Sequence, residues 1–279
     1  MIFLRSINLG KWNANLYLTF EAQRSQPALD LANRLKDSHP QNIIDIGCGP
    51  GNSTAILYSL FPNTKIMGID SSQEMIDSAK THYPHIFFYL CDVYEIDGKY
   101  DLIFANASLQ WIPNYHILLP FLLERLNSNG TLAVQMPNNS NEPLYRVIEM
   151  MIANPKWGFN HLEIETNETL PFQRYFEILS QFTSKFEVWE SIYYHPMPSH
   201  YSLVEWVKST KLRPYFNALN DEAKAEFESE LLAAIAPFYI PINMSFVGSR
   251  EGDSTLQNPL LTNSVLLQFK RLFFIAKAM

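Results

Sequence analysis

The sequence predicts an α/β protein: a doubly wound, largely parallel sheet with a helical cap inserted between two late strands. Short apolar runs alternate with amphipathic stretches between Asn42 and Met136. The runs lead into glycine, aspartate or asparagine. Further on, two more strand-like runs are separated by two amphipathic helical segments. Such alternation implies parallel strands with helices on both faces, and right-handed crossovers then gather the loops after the strands along one edge.

The first strand is Asn42–Ile46 (NIIDI), which enters the cluster Gly47-Cys48-Gly49-Pro50-Gly51. Asn52 and Ser53 are placed to cap a helix reaching about Phe61, where Pro62-Asn63 stops it. Lys65–Ile69 is the second strand and ends at Asp70; Ser71-Ser72-Gln73-Glu74 fits a capping box for a helix to about Tyr83. Ile86–Cys91 is the third strand, ending at Asp92, and Tyr100–Ala105 the fourth, followed by Asn106. Tyr115–Leu126 reads as a helix ended by Asn129-Gly130, and Thr131–Met136 as the fifth strand. Upstream, a helical stretch from about Leu16 to Lys36 is interrupted at Ser25-Gln26-Pro27. Downstream, Leu144–Ala153, Arg174–Phe182, Ser202–Ser209 and Asp221–Ala236 read as helices, and Phe186–Tyr194 and Leu272–Lys277 as strands. Phe246–Asn263, with Gly, Ser, Asp, Asn and Pro and little periodicity, reads as a mobile loop. The expected organisation is N-terminal helices and an α/β core over 1–137, connecting helices and a late strand over 138–196, a helical cap over 197–264, and a last strand over 265–279.

Composition narrows the function. Of 279 residues, 47% are hydrophobic and 18% charged, enough to bury a core and too apolar for disorder. Lys plus Arg is 21 and Asp plus Glu 28, and 21 − 28 = −7 argues against broad binding to nucleic acid or an anionic membrane surface. No apolar run approaches the ~18 residues of a membrane span, and the segment around Arg5 lacks a secretory apolar region. Cys48 and Cys91 form no Cys-x-x-Cys pair, so they read as small buried hydrophobes rather than a disulfide framework or zinc site. The expectation is a cytoplasmic protein without a metal, acting on a small molecule, with a monomer favoured and the oligomeric state left open.

The glycine cluster is informative by what it fails to be. A phosphate-cradling loop would need Lys after the glycines, and none follows. A dinucleotide fingerprint finds Gly47 and Gly49, but Asn52 stands at its third glycine and Pro50 removes an N–H donor, which disfavours a nicotinamide dehydrogenase. A smaller, uncharged or zwitterionic nucleoside fits better. Glycines let it approach the backbone, Asp70 can accept both ribose hydroxyls, and Asp92 can reach an adenine amino group. The plainer roles remain open: a tight turn for the glycines, a helix cap for Asp70, a solvated acid for Asp92.

Asp45–Ala55 (DIGCGPGNSTA) resembles the first motif of the S-adenosylmethionine-dependent methyltransferases, D-x-G-C-G-x-G. The likeness extends to the trans-aconitate 2-methyltransferase family. Similar to that family are Trp12-Asn13, Leu16-Tyr17, Glu21-Ala22-Gln23-Arg24, Pro27-Ala28, Gly68–Ser72 (GIDSS), Phe104–Trp111 (FANASLQW), Leu132–Pro137 (LAVQMP), Tyr193–His200 (YYHPMPSH) and Leu212–Tyr215 (LRPY). The sequence departs from the family at Lys270, where a proline is usual, and in the longer stretch Phe238–Asn263.

The resemblance implies a Rossmann-like methyltransferase sheet, S-adenosylmethionine as cofactor, and a cap over an acceptor site. It implies cofactor contacts from Asp45, Gly47, Gly49, Asp70, Ser71, Asp92, Val93 and Asn106. Acceptor contacts fall to Trp12, Tyr17, Arg24, Gln110, Trp111, Tyr193, His195, Arg213 and Arg271. The implied reaction is O-methylation of trans-aconitate or a closely similar tricarboxylate, with the carboxylate attacking the sulfonium methyl in line. Free carboxylic acids titrate near a pKa of about 4, so the nucleophile is ionised and no general base is needed. Gln110 and Trp111 are then positioning residues, Arg24, Arg213 and Arg271 candidate carboxylate clamps, and exclusion of water does much of the work. Rivals are methyl transfer to another small or carrier-bound carboxylic acid, and a protein that binds S-adenosylmethionine without turnover.

Overall fold

The computed structural model describes residues 21–162, 169–243 and 262–279, without the side chains of 21–24, 243, 262 and 263. Eight strands form one sheet in the order β3-β2-β1-β4-β5-β8-β6, with β7 paired to β8. The strands are β1 (Asn42–Ile46), β2 (Lys65–Asp70), β3 (Phe87–Leu90), β4 (Tyr100–Asn106), β5 (Leu126–Pro137), β6 (Phe186–Met197), β7 (Ile242–Asn243) and β8 (Thr262–Lys277). The pairs from β3 across to β5 are parallel, and β5 pairs with β8 antiparallel. This is the doubly wound sheet expected, and its order reverses between β1 and β4, where such sheets open a crevice at their carboxyl ends.

The helices are α1 (Glu21–Asn33), α2 (Asn52–Leu60), α3 (Gln73–His82), α4 (Tyr115–Glu124), α5 (Pro143–Ile152), α6 (Phe172–Leu179), α7 (His200–Lys208), α8 (Arg213–Phe216) and α9 (Asp221–Ile235). Among the described residues none is long and apolar enough to cross a membrane. Two compact units emerge. One holds 21–138, 169–191 and 270–279; the other holds 139–162, 192–243 and 262–269. Strands β6 and β8 supply residues to both.

In the first unit, Ile44, Ile46, Ile103, Ala105, Leu132, Val134 and Met136 turn one face of the sheet toward Leu118, Leu119 and Leu122 of α4 and Tyr175 of α6. Burying each of the isoleucine, leucine, valine and methionine side chains contributes about 1.5–3 kcal/mol. The opposite face meets α1, which packs on α2 and β5. There Trp189 stacks on Phe273 at 5.1 Å, with the Arg34 guanidinium 4.0 Å above the Trp189 ring. At the amino ends of the strands, Asp101 accepts from the N–H groups of Gln41 and Asn42 and from Asn127 Nδ2. The Asn127 bond leads in holding its carboxyl below the usual range. In the second unit Phe227, Leu231 and Ile235 of α9 are buried, and Phe227 meets Trp157 edge-on at 4.8 Å.

Several expectations are corrected. Helix α1 runs through Pro27 without interruption; burial of Ala28, Leu31 and Ala32 compensates for the hydrogen bond a proline removes. Asn129-Gly130 does not end a helix. It lies inside β5, where 127–130 bulge between the paired residues Leu126 and Thr131 and Asn129 takes φ 61°. Helix α4 has already stopped at Glu124. Ser72, not Ser71, caps α3, accepting from the Met75 N–H. Strand β8 begins at Thr262, so the expected loop 246–263 overlaps it at 262 and 263; the rest of that loop lies outside the described residues. Cys91 is only partly buried, whereas Cys48 is buried.

Candidate functional site

The carboxyl ends of β1, β2, β3 and β4 carry the glycine loop, Asp70, Asp92 and Asn106 on neighbouring strands. The loop is shaped by two opposite demands. At Gly47 (φ 65°) a Cβ would stand 2.4 Å from Ser108 Cβ, so this glycine admits the turn after β4. Ser108 fastens that approach by donating its hydroxyl to the Ile46 carbonyl at 2.6 Å. At Gly49 (φ 55°) a Cβ would meet nothing within 4 Å among the described residues. Here the backbone borders open space, as close approach by a ligand requires.

Asp70 is oriented by the main chain. Oδ2 accepts from the Gly49 N–H at 3.0 Å and Oδ1 from the Ser72 N–H at 2.9 Å. These two bonds fix the direction in which the carboxylate faces. Ser71 is exposed beside it. Asp92 is exposed and caps a short 3-10 turn beginning at Val93: it accepts from the Tyr94 N–H at 2.9 Å, while Glu95 accepts from the Asp92 N–H. Val93 is buried and anchors this turn.

Asp45 lies under the loop, fully buried. Its Oδ2 accepts from Ser53 Oγ at 2.6 Å and Thr54 Oγ1 at 2.7 Å, and Oδ1 has no hydrogen-bond partner among the described residues. The expected cap by Asn52 or Ser53 is thereby corrected: Gly51 occupies the cap of α2 without a side-chain bond, because the Ser53 hydroxyl is drawn to Asp45. Burial pushes the Asp45 carboxyl up to about 7, against the two hydroxyls, which lower it, and with help from Asp70. The same burial, with Asp45 and Asp70 nearby, pushes the Cys48 thiol well up.

The turn after β4 is held differently. Ala107 takes φ 52°, a left-handed conformation that costs a non-glycine residue about 1–2 kcal/mol. Its N–H donates to the Gln135 carbonyl at 2.8 Å, and its carbonyl accepts from Gln110 Nε2 at 2.7 Å. Gln110 Oε1, Asn106 Oδ1 and both amide atoms of Gln135 are buried without partners among the described residues. Leaving such a group unpaired costs about 1–3 kcal/mol. Trp111 is half-buried and ends this turn, its N–H donating to the Ser108 carbonyl.

The remaining acceptor candidates are distributed over both units. Arg271 is buried on β8 in the first unit. In the second, Tyr193 and His195 stack at 6.2 Å on β6, His195 packs against Trp206 and Phe269, and Arg213 is buried at the start of α8. Trp12 and Tyr17 lie outside the described residues, and of Arg24 only the backbone, in α1, is described. In the sequence Ser53 reads only as a helix cap, and Thr54, Ser108 and Gln135 are given no role at the site. For Gln135 a signal existed: a long amide inside the otherwise apolar run LAVQM. A groove of about 410 Å³ runs between α1 and α2, lined by Leu29, Ile56 and Tyr83 among others. It shares only Asn52 with the loop region and contains none of the acids, so the strand ends define the site better.

A family model for methyltransferase domains matches residues 37–195. The chain is 36% identical over 272 residues to trans-aconitate 2-methyltransferase of Escherichia coli, covering 96% of this chain and 99% of that one. The Yersinia pestis enzyme of that name is also 36% identical, with 96% and 98% covered. Among solved structures, phosphoethanolamine N-methyltransferase 2 of Haemonchus contortus in complex with S-adenosyl-L-methionine superposes with a TM-score of 0.54 at 15% identity, over 95% of this chain and 57% of that one. The YcgJ protein of Bacillus subtilis gives 0.51 at 13% identity, over 91% and 99%. These two likenesses concern the fold.

Proposed function

The chain belongs to the trans-aconitate 2-methyltransferase family, and on that premise we propose that it methylates one carboxylate of trans-aconitate or a closely similar tricarboxylate, with S-adenosylmethionine as cofactor. The observation that carries the cofactor half is Asp70, clamped by the Gly49 and Ser72 N–H groups beside the open face of Gly49. That arrangement fits a nucleoside: a diol for the acid and a flat approach for the glycine. Asp92 and the turn at Val93 would border the base, and Asn106 the amino-acid end. Gly47 and Asp45 act beneath, shaping the loop. When bound, the cofactor supplies a methyl group activated by a sulfonium.

What the chain itself must do follows from the acceptor's chemistry. A carboxylate is ionised at neutral pH, so no side chain has to take a proton from it. The residues at the ends of β4 and β5 instead have to orient it and strip its water, since an anion meets a cation best in a dry site. Gln110 and Trp111 are the positioning residues in this reading. Trp12, Tyr17, Arg24, Tyr193, His195, Arg213 and Arg271 remain proposed contributors to the acceptor site.

Incubation with methyl-labelled S-adenosylmethionine and a panel of di- and tricarboxylates, fatty acids and carrier-bound acids, followed by mass spectrometry, tests this. A monomethyl ester of trans-aconitate is expected. Label found only on a lipophilic or carrier-bound acid would replace the acceptor. Cofactor binding with no ester from any acid would make the chain a binding protein.

A further inference from the structure

We propose that Gln135 is an acceptor-binding residue: its side-chain amide, with Arg271, receives a carboxylate of the methyl acceptor at the end of β5. The inference rests on the acceptor reading above and adds a residue to it. Gln135 is fully buried, yet neither Oε1 nor Nε2 has a hydrogen-bond partner among the described residues. Buried side-chain amides are nearly always paired, and one left with both ends unmet inside a sheet calls for an explanation.

Its neighbours supply one. Cα partners in the ladder present side chains on the same face. Gln135 pairs with Asn106 of β4 and with Phe273 of β8, and the next pair on that face is Pro137 with Arg271. Diagonal neighbours across an antiparallel pair are within reach of long side chains. The Gln135 amide and the Arg271 guanidinium therefore share one face at the carboxyl ends of β4 and β5, with Asn106 and its unpartnered Oδ1 on the other flank. Two N–H donor groups of different charge on one face suit a carboxylate, and the guanidinium supplies the compensating charge.

The order of strands says which ligand falls there. The acids proposed for ribose and base stand at the ends of β2 and β3, on one side of the glycine loop after β1. A nucleoside spread over β1, β2 and β3 leaves its reactive end directed toward β4. The group that meets it must then come from the side of β4 and β5, where Gln135 lies. The bond between the Ala107 N–H and the Gln135 carbonyl ties this residue to the turn bearing Gln110 and Trp111.

The test uses the full chain with Gln135→Met, which keeps the volume and removes both polar atoms, and Gln135→Glu, which opposes a carboxylate. Three readings are taken: the melting temperature, calorimetric affinity for S-adenosylhomocysteine, and KM for trans-aconitate together with the thermal shift trans-aconitate produces in the presence of S-adenosylhomocysteine. Expected for Gln135→Met are a melting temperature equal to or above that of the native chain, nucleoside affinity within twofold, KM raised at least tenfold, and no trans-aconitate shift. Gln135→Glu should raise KM further at unchanged nucleoside affinity. A Gln135→Met protein with KM and thermal shift within twofold of native overturns the inference and leaves the acceptor reading standing. So does a fall in melting temperature in both variants, which would mean that the amide holds the sheet. If the native chain itself neither binds nor methylates trans-aconitate, the acceptor reading fails and the inference goes with it.

Discussion

At the ends of β2 and β3, Asp70 and Asp92 have accepted the backbone N–H groups of Gly49, Ser72 and Tyr94. Along the same sheet edge, at the ends of β4 and β5, Asn106, Gln110 and Gln135 keep buried amide atoms without partners among the described residues. The first region is pre-organised by its own main chain: its acids are held in place before any ligand arrives. The second carries unmet hydrogen-bonding capacity, a cost of about 1–3 kcal/mol per buried group that binding would offset. A nucleoside common to many enzymes can be met by local loop chemistry. The acceptor proposed above would instead be met by side chains that only sheet pairing assembles.

The sharpest way to break this comparison is at Asp70. Asp70→Ala removes the proposed diol acceptor and frees the Gly49 and Ser72 N–H groups together, so affinity for S-adenosylhomocysteine should fall at least ~100-fold, the scale of losing charge-assisted hydrogen bonds. Calorimetry showing undiminished affinity would remove the ribose assignment and the contrast with it.

Next come the two glycines of the pre-organised side. Both hold left-handed φ, so alanine at either costs about 1–2 kcal/mol in backbone strain. Gly47→Ala adds a clash at 2.4 Å with Ser108 and should lower stability by a further ~1–3 kcal/mol in urea unfolding. Gly49→Ala, which faces open space, should show only the strain in stability but bind S-adenosylhomocysteine about tenfold more weakly, since its methyl takes up ligand space. Equal effects of the two on both measurements would erase the distinction between a glycine that admits protein and one that admits ligand.

The smallest effect concerns Asp45. Its folded pKa, about 7, lies above the ordinary 3.8. Between those values the folded state holds a proton that the unfolded chain has released, so this group lowers stability as pH rises from about 4 to 7. Asp45→Asn mimics the protonated carboxyl, with its NH₂ in place of the acid proton. The advantage of the variant in thermal melting should therefore grow over that range and level off above it. Parallel pH profiles would show that Asp45 is ionised under the loop.

Much of the parallel half of the molecule was legible because its signals are local. Strand β1 has the expected bounds, β2 runs one residue further, and both lead into the residues expected to matter. Misreadings came where folding and burial outweighed a local preference. Ser53 looks like a helix cap until Asp45 is placed beneath it. Asn129-Gly130 looks like a turn until β4 pairs on both sides of the bulge. Pro27 looks like a helix breaker until its neighbours are buried. The amide of Gln135 stands out in LAVQM, but only burial and the ladder show that it has no partner among the described residues.

The sequence by itself determined the alternation of strand and helix, the parallel core, and the glycine and acids at the strand ends. Each of these depends on residues within a few positions of one another: apolar period, a permissive φ, a carboxylate after a strand. Tertiary structure alone decided which polar groups are satisfied. The bond from Ser53 to Asp45, eight residues apart, and the far longer-range juxtaposition of Gln135, Asn106 and Arg271 exist only once the chain has folded, and burial then sets the cost of every group left unmet.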